Sequence, residues 1–159
     1  MKASKENIIV ADSNVLIKWY IPEKYSEQAV LMRNDYLYGR IKVITPTYAL
    51  LEFTNTLRKY VIRKLITCKD ALIALNLLLE TKIKYISIFP DYMDKVLKYS
   101  MDNNITVYDA YYIVLAKENN AYMYTADEKL LSKVEDKEPL VRHIRDYPRD
   151  RIELLGINI

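Results

Sequence analysis

Ile8-Ile9-Val10-Ala11-Asp12-Ser13-Asn14-Val15-Leu16-Ile17 is the stretch that decides the fold. Its first four residues form a continuous apolar run, the mark of a short strand covered on both faces inside a parallel sheet. The run ends on an acid and passes directly into a short helical segment, 13–19, which Pro22 closes. The same rhythm continues along the chain. A helix fits 26–38 and stops at Gly39, and Ile41-Lys42-Val43-Ile44 reads as a strand. Thr45-Pro46 is expected to open a third helix, with Thr45 as N-cap and Pro46 at the first helical position, running to about Leu65. Thr67-Cys68-Lys69-Asp70 has the form of a capping box for a fourth helix, which carries Leu72, Leu75, Leu78 and Leu79. Residues 85–89 form the next expected strand, and Pro90 begins a fifth helix reaching about Met101. Asn103-Asn104 breaks it, and Thr106-Val107-Tyr108-Asp109 is a second capping box, for a sixth helix ending at Glu118. A strand at 121–124, a helix at 127–134 and a last core strand at 140–144 follow, and 151–155 is expected to add an edge strand. This alternation predicts an α/β fold, a three-layer α/β/α sandwich around a mostly parallel central sheet. With no internal repeat and no linker rich in Gly, Pro or Ser, residues 1–159 read as a single domain, with its core at about 8–144 and a tail at 145–159.

A chain of 159 residues suffices to bury about 70% of its unfolded surface around one core, so disulfide or zinc staples are not needed. No apolar stretch approaches the roughly 20 residues that span a bilayer. The opening Met1-Lys2-Ala3-Ser4-Lys5-Glu6-Asn7 lacks the apolar centre of a secretory leader, and Cys68 is the lone cysteine; the expectation is a cytoplasmic protein with no membrane association. Scarcity narrows the chemistry further. The only glycines are Gly39 and Gly156, which excludes phosphate-cradling loops built on glycine. The only histidine is His143, so catalysis must rest on carboxylates, whose natural partners are hard cations. The formal net charge of +3 permits nucleic-acid binding without arguing for it.

Four acids stand in unusual places. Asp12 lies at the carboxyl end of the first strand, where open α/β sheets bind ligands. Flanked by apolar residues, it either caps the following helix through its side chain or faces a compensating cation, and the residue alone does not choose between them. Asp109 is the sole charge in an apolar segment, 107–116, and as the fourth member of the second capping box it too has a structural explanation. Glu52 sits one and a half turns into the third helix, on the face of Asn55, Thr56 and Lys59. Asp127 enters a helix directly after an apolar strand, where acids are common.

The order and context of these residues resemble a known family. Ile9-Val10-Ala11-Asp12-Ser13-Asn14-Val15-Leu16, Leu51-Glu52-Phe53-Thr54-Asn55-Thr56-Leu57-Arg58, Thr106-Val107-Tyr108-Asp109-Ala110-Tyr111-Tyr112 and Tyr124-Thr125-Ala126-Asp127-Glu128-Lys129-Leu130 together are similar to the PIN-domain nucleases. Among these they most resemble the VapC type of toxin ribonuclease. The resemblance spans 8 to about 144 and departs at Asn119-Asn120, where glycine is frequent, and in the tail. It implies that Asp12, Glu52, Asp109 and Asp127 form a catalytic site binding Mg²⁺ or Mn²⁺, supported by Asn14 and Thr125. It also implies endonucleolytic RNA cleavage leaving a 5′-phosphate, a homodimer, and a VapB-type antitoxin as partner. Four carboxylates facing one cavity would themselves require a counter-charge.

Five basic residues and no acid lie between Glu52 and Asp70. Of these Arg58, Lys59 and Arg63 are candidates for RNA contact, although a solvated helix face explains such a run as well. Tyr108, Tyr111 and Tyr112 read as core or subunit interface rather than base-stacking groups, and His143 reads as structural. A haloacid-dehalogenase-type phosphatase would need a second Asp where Asn14 stands, and Ala11-Asp12 lacks the paired acids of a response-regulator receiver. The remaining alternative is a catalytically inactive PIN-like module that binds without cutting.

Overall fold

A computed structural model describes residues 7–156. Residues 1–6 and 157–159, on which the reading of the leader and the end of the tail rest, lie outside the described residues. Five parallel strands, β1 (Ile8–Ala11), β2 (Lys42–Pro46), β3 (Lys84–Ile86), β4 (Tyr122–Thr125) and β5 (Val141–His143), form one sheet in the order β3-β2-β1-β4-β5. The sheet is thus wholly rather than mostly parallel. β1 lies at the centre, its residues alternating between the two faces. Ile9 and Ala11 join a core with α1 (Ser13–Lys18), α2 (Ser26–Leu37), α3 (Tyr48–Ile62), α4 (Cys68–Glu80) and the start of α8 (Tyr147–Leu154). Val10 points the other way, toward α5 (Met93–Asn103), α6 (Val107–Glu118) and α7 (Glu128–Val134). Burial on both sides is why this strand lacks polar alternation. Among the described residues, no helix is long and apolar enough to cross a membrane.

Chain order places the switch in winding direction at β1, with β2 on one side and β4 on the other, and the crevice above such a point is where parallel sheets collect ligands. The carboxyl ends of β1 and β4 carry Asp12 and Thr125. Two predicted stops are visible as left-handed residues, Gly39 after α2 and Asn104 after α5. The Thr67–Asp70 capping box is complete, with bonds of 3.0 and 3.2 Å.

Several sequence expectations are corrected. Thr45 and Pro46 do not open α3 but end β2, because the Thr45 hydroxyl donates to the Ala11 carbonyl at 2.8 Å and Pro46 aligns with Ile86 of β3. Thr47 is the N-cap, and α3 ends at Ile62, with Lys64 in the left-handed region. Pro90 starts a 3₁₀ turn before α5. The expected edge strand at 151–155 is instead the last turns of α8. That helix is fastened by charge: buried Asp35 of α2 accepts from Arg151 Nε and Nη2, both at 2.8 Å, and from the Tyr147 hydroxyl at 2.7 Å. Burial alone would raise the Asp35 carboxyl, but these donors and Arg40 hold it below the ordinary carboxylate value. Asp150 of α8 accepts the hydroxyl of Tyr124 at 2.8 Å and so ties the helix to β4, one residue before Thr125.

Removing Asp35 would leave Arg151 and Tyr147 without their acceptor in the interior. Asp35→Ala is therefore expected to cost about 3–5 kcal/mol of stability, read as a lowered urea midpoint. An unchanged midpoint would rule out an anchoring role for the α8 clasp.

Candidate active site

Asp12 occupies the N-cap position of α1 yet makes no side-chain capping bond. Its side chain turns instead to the neighbouring strand. Oδ2 accepts from the Thr125 hydroxyl at 2.9 Å and from Asn14 Nδ2 at 3.2 Å, and the Ser13 hydroxyl lies 3.4 Å from Oδ1. Asn14 is held in turn: its Oδ1 accepts from the Ala126 N–H at 3.0 Å, and its amide reaches Thr125 Oγ1 at 3.3 Å. Thr125 Oγ1 also accepts from the Asp127 N–H at 3.0 Å. Asn14 and Thr125 thus form a polar seam between β1 and β4 that fixes the Asp12 carboxylate.

Glu52 reaches the same region from α3, and the Tyr112 hydroxyl of α6 donates to its Oε1 at 2.8 Å. The sequence pattern places Tyr112 in the core or a subunit interface. Its ring is indeed buried, but its hydroxyl is a site group, a distinction no residue pattern carries. Tyr48 packs edge-on against Tyr108, Tyr111 and Tyr112 and donates to the Tyr108 carbonyl at 2.6 Å. It thereby walls the site on the side of α6.

Asp109 and Asp127 divide over the capping explanation. Thr106 accepts from the Asp109 N–H at 3.2 Å, but among the described residues no bond returns from the Thr106 N–H to the Asp109 carboxylate, so the second capping box is only half formed. The Asp109 carboxylate lines a cleft with Asp127, and the Thr106 side chain still acts on it. Asp127 is a working cap, its Oδ1 accepting from the Leu130 N–H at 3.0 Å.

The electrostatics describe one connected group. Burial chiefly raises the Asp12 carboxyl, with the charges of Glu52 and Asp109 adding to it, and the Thr125 hydroxyl opposing; the outcome is a pKa of about 7. Burial and Asp109 raise Glu52 against the Tyr112 bond. Burial and Asp127 raise Asp109. Asp12, Glu52 and Asp109 therefore share one field, and Asp127 lies beyond Asp109, facing it across a cleft of about 130 Å³ that Lys129 and Lys133 also line. Arg58, Lys59 and Arg63 are exposed along α3 and its C-cap, and among the described residues they form no ion pair. His143 is fully buried: its Nδ1 accepts from the Arg145 N–H at 3.0 Å and its ring rests edge-on against Tyr25.

Whether such a set suits a cation can be asked of its donors. Asp12 is 5% exposed, and among the described residues no Lys or Arg acts on it or on Glu52. Uncompensated, desolvated carboxylate oxygens are the donors that Mg²⁺ and Mn²⁺ prefer. As the side chains stand, no three His, Cys, Asp or Glu among the described residues converge closely enough to hold an ion. The donor set suits such an ion in kind and in charge.

Tyr112→Phe deletes one hydroxyl in a buried ring and frees Glu52 to turn. Loss of such an orienting bond costs about 10–100-fold in activity or metal affinity. The expected result is a fall of that size in the affinity of the site for Mn²⁺ with an unchanged melting temperature, and undiminished affinity in this variant would show that Glu52 needs no support.

The model of the PIN domain family matches residues 9–137. Among solved structures, the chain is similar to the crystal structure of PAE2754 from Pyrobaculum aerophilum, with a TM-score of 0.66 and 20% identity over 93% of this chain and 89% of that one, a likeness of fold. No curated protein matches it.

Proposed function

The chain belongs to the PIN-domain family, whose members are generally nucleases, and on that premise we propose that it is a Mg²⁺- or Mn²⁺-dependent endoribonuclease of the VapC toxin type. The observation that carries this reading is Asp12: a carboxylate buried at the switch point of a parallel sheet, within the field of Glu52 and Asp109, with no cationic side chain acting on it among the described residues. Carboxylates kept together at such cost are better explained by a task than by stability.

PIN nucleases generally use divalent metals. Asp12, Glu52 and Asp109 would hold the ion in this chain, with Asp127 at the edge of the set. A divalent ion supplies acidified water and offsets charge on the phosphoryl oxygens. The chain's own residues do the positioning. Thr125 and Asn14 hold Asp12 at the carboxyl edge of the sheet, and Tyr112 fixes Glu52. Asp12, with a pKa of about 7 before any ion binds, can hold or release a proton near neutrality. His143 is enclosed in the fold and takes no part. Arg58, Lys59 and Arg63, exposed on α3 and its C-cap and without an ion pair among the described residues, would grip RNA phosphates.

The proposal extends to partners and place: a homodimer in the cytoplasm, with a VapB-type antitoxin. It is supported by large apolar side chains left on the surface, among them Leu51, Leu65 and Leu72 on the α3–α4 side and Leu97, Met101 and Tyr108 on the α5–α6 side. Apolar patches of this kind mark interaction surfaces.

The test is cleavage of single-stranded RNA by the purified chain in Mg²⁺, in Mn²⁺ and in excess chelator. Cutting that requires the ion is expected. Undiminished cutting in chelator would remove the metal, and RNA binding with no cutting under any condition would favour the inactive binding module.

A further inference from the structure

One helical turn along α3 from Glu52, the surface opens into a cavity of about 310 Å³, at the small end of ligand pockets. Its walls are aromatic and aliphatic, Tyr48, Tyr108 and Tyr111 with Ile88, Met93 and Val107, and no charged group lines it. Tyr48 stands four residues before Glu52 and so shares its face of α3, and Tyr108 immediately precedes Asp109 at the start of α6. The Tyr48 ring meets Tyr108 and Tyr112 edge-on, at centroid distances of 5.5 and 5.4 Å, and Tyr112 holds Glu52. Cavity and acids thus share a wall. Burial chiefly raises the Tyr48 hydroxyl, and the charges of Glu52, Asp12 and Asp109 add to it, which sets that ring within their field. Much of the lining is left in solvent: Tyr108 is 58% exposed, and Val107, Ile88 and Met93 are exposed as well. Leu97 and Met101, exposed on α5, do not line the cavity. The Tyr48 hydroxyl donates to the Tyr108 carbonyl at 2.6 Å, and the Tyr111 hydroxyl accepts from the Phe89 N–H at 3.0 Å. Apart from the Tyr108 hydroxyl, the cavity therefore offers rings and methyl groups rather than free hydrogen-bonding side chains.

We propose that this cavity receives one unpaired base of the RNA strand, stacked on Tyr108 and closed in by Tyr48, while the phosphodiester next to that base lies at Asp12 and Glu52. The proposal rests on the ribonuclease reading above and names how the strand is held there. A base is a flat, uncharged ring that stacks on aromatic side chains whatever its identity, whereas a phosphate gains nothing from a lining without a cation. Recognition of single-stranded RNA takes this form, with bases splayed out onto aromatic rings. The spacing agrees: residues four apart on one helix face have Cβ atoms about 5–6 Å apart, the order of the distance from a base to its own phosphate. The place beside the acids is what selects a base over an apolar side chain of a second copy, since only the strand has to reach Asp12 and Glu52.

The experiment measures binding rather than cutting: fluorescence anisotropy of a short end-labelled RNA strand with the full chain, in excess chelator and again in Ca²⁺. Tyr108→Ala is expected to weaken binding about tenfold. The position is exposed, and the bond from Tyr48 runs to the Tyr108 carbonyl, so the variant keeps that bond and the core. Tyr108→Leu, apolar but not aromatic, should lose as much, and Tyr108→Phe should bind nearly as wild type does. On a strand of the same length without bases, wild type should bind more weakly, and Tyr108→Ala should add no further loss. Wild-type affinity in Tyr108→Ala or Tyr108→Leu, or an equal loss on the baseless strand, would overturn the proposal while leaving RNA binding standing. A change from dimer to monomer in Tyr108→Ala by light scattering, with RNA affinity unchanged, would overturn it by giving the cavity to a second copy. No RNA binding by wild type in either condition would overturn this proposal and the ribonuclease reading together, so the two failures are distinguishable.

Discussion

Asp12→Asn is expected to reduce metal-dependent RNA cleavage by on the order of a thousandfold while leaving the fold intact. The substitution keeps volume and shape, and its carbonyl oxygen still accepts the Thr125 hydroxyl that now reaches Oδ2 at 2.9 Å. What it removes is the negative charge at the best-fixed point of the crevice. Glu52→Gln and Asp109→Asn remove charge from the same field and should fall in the same range. Asp127 already spends one oxygen on capping α7 and lies across the cleft with the lysines, so Asp127→Asn should cost only about 10–100-fold, as for an outer support of a metal site. The measurement is single-turnover cleavage of one labelled RNA in saturating Mg²⁺, with far-ultraviolet circular dichroism as the folding control and His143→Ala as the activity control. A folded Asp12→Asn protein that cuts within tenfold of wild type would displace Asp12 from the centre of the mechanism.

The second large effect is on stability and runs against the ordinary behaviour of acids. The Asp12 carboxyl is raised from 3.8 to about 7 in the metal-free fold, so the folded state binds its proton more tightly than the unfolded state does. The stability this confers is fully present below about pH 4 and is lost as pH rises to about 7. Three units at 1.36 kcal/mol each amount to about 4 kcal/mol. Glu52 and Asp109, also raised, act in the same direction. Asp12→Asn carries no titrating proton and escapes the decline. Without metal it should melt about 10 °C above wild type at pH 8 and close to wild type at pH 4. Mg²⁺ should reverse the order at pH 8, because ligand bound to the native state stabilises wild type and finds fewer donors in the variant. Parallel wild-type and variant curves from pH 4 to pH 8 would show that the crevice carries no such electrostatic cost.

Local order determined a good part of this molecule. Ile8 to Ala11 reads as a strand covered on both faces, and the alternation of such runs with helical periods implies parallel strands, since parallel neighbours need crossovers long enough to hold a helix. It also set Asp12 and Asp127 at junctions of strand and helix, on the edge of the sheet that binds ligands. Tertiary structure decided whatever depended on partners distant in sequence. The order β3-β2-β1-β4-β5 is set by which strands can be buried together, and it alone brings Thr125 against Asp12 across 113 residues and Tyr112 against Glu52 across 60. Each acid could equally cap a helix or face the crevice. A capping bond and a crevice contact draw on the same oxygen atoms, and only the surrounding fold shows that Asp12 accepts from Thr125 on the neighbouring strand while Asp127 gives an oxygen to α7. The tail takes its form for the same reason. Residues 151–155 have no strong local preference, and the buried carboxylate of Asp35, more than a hundred positions earlier, holds them as a helix because Arg151 and Tyr147 can both reach it only from adjacent turns.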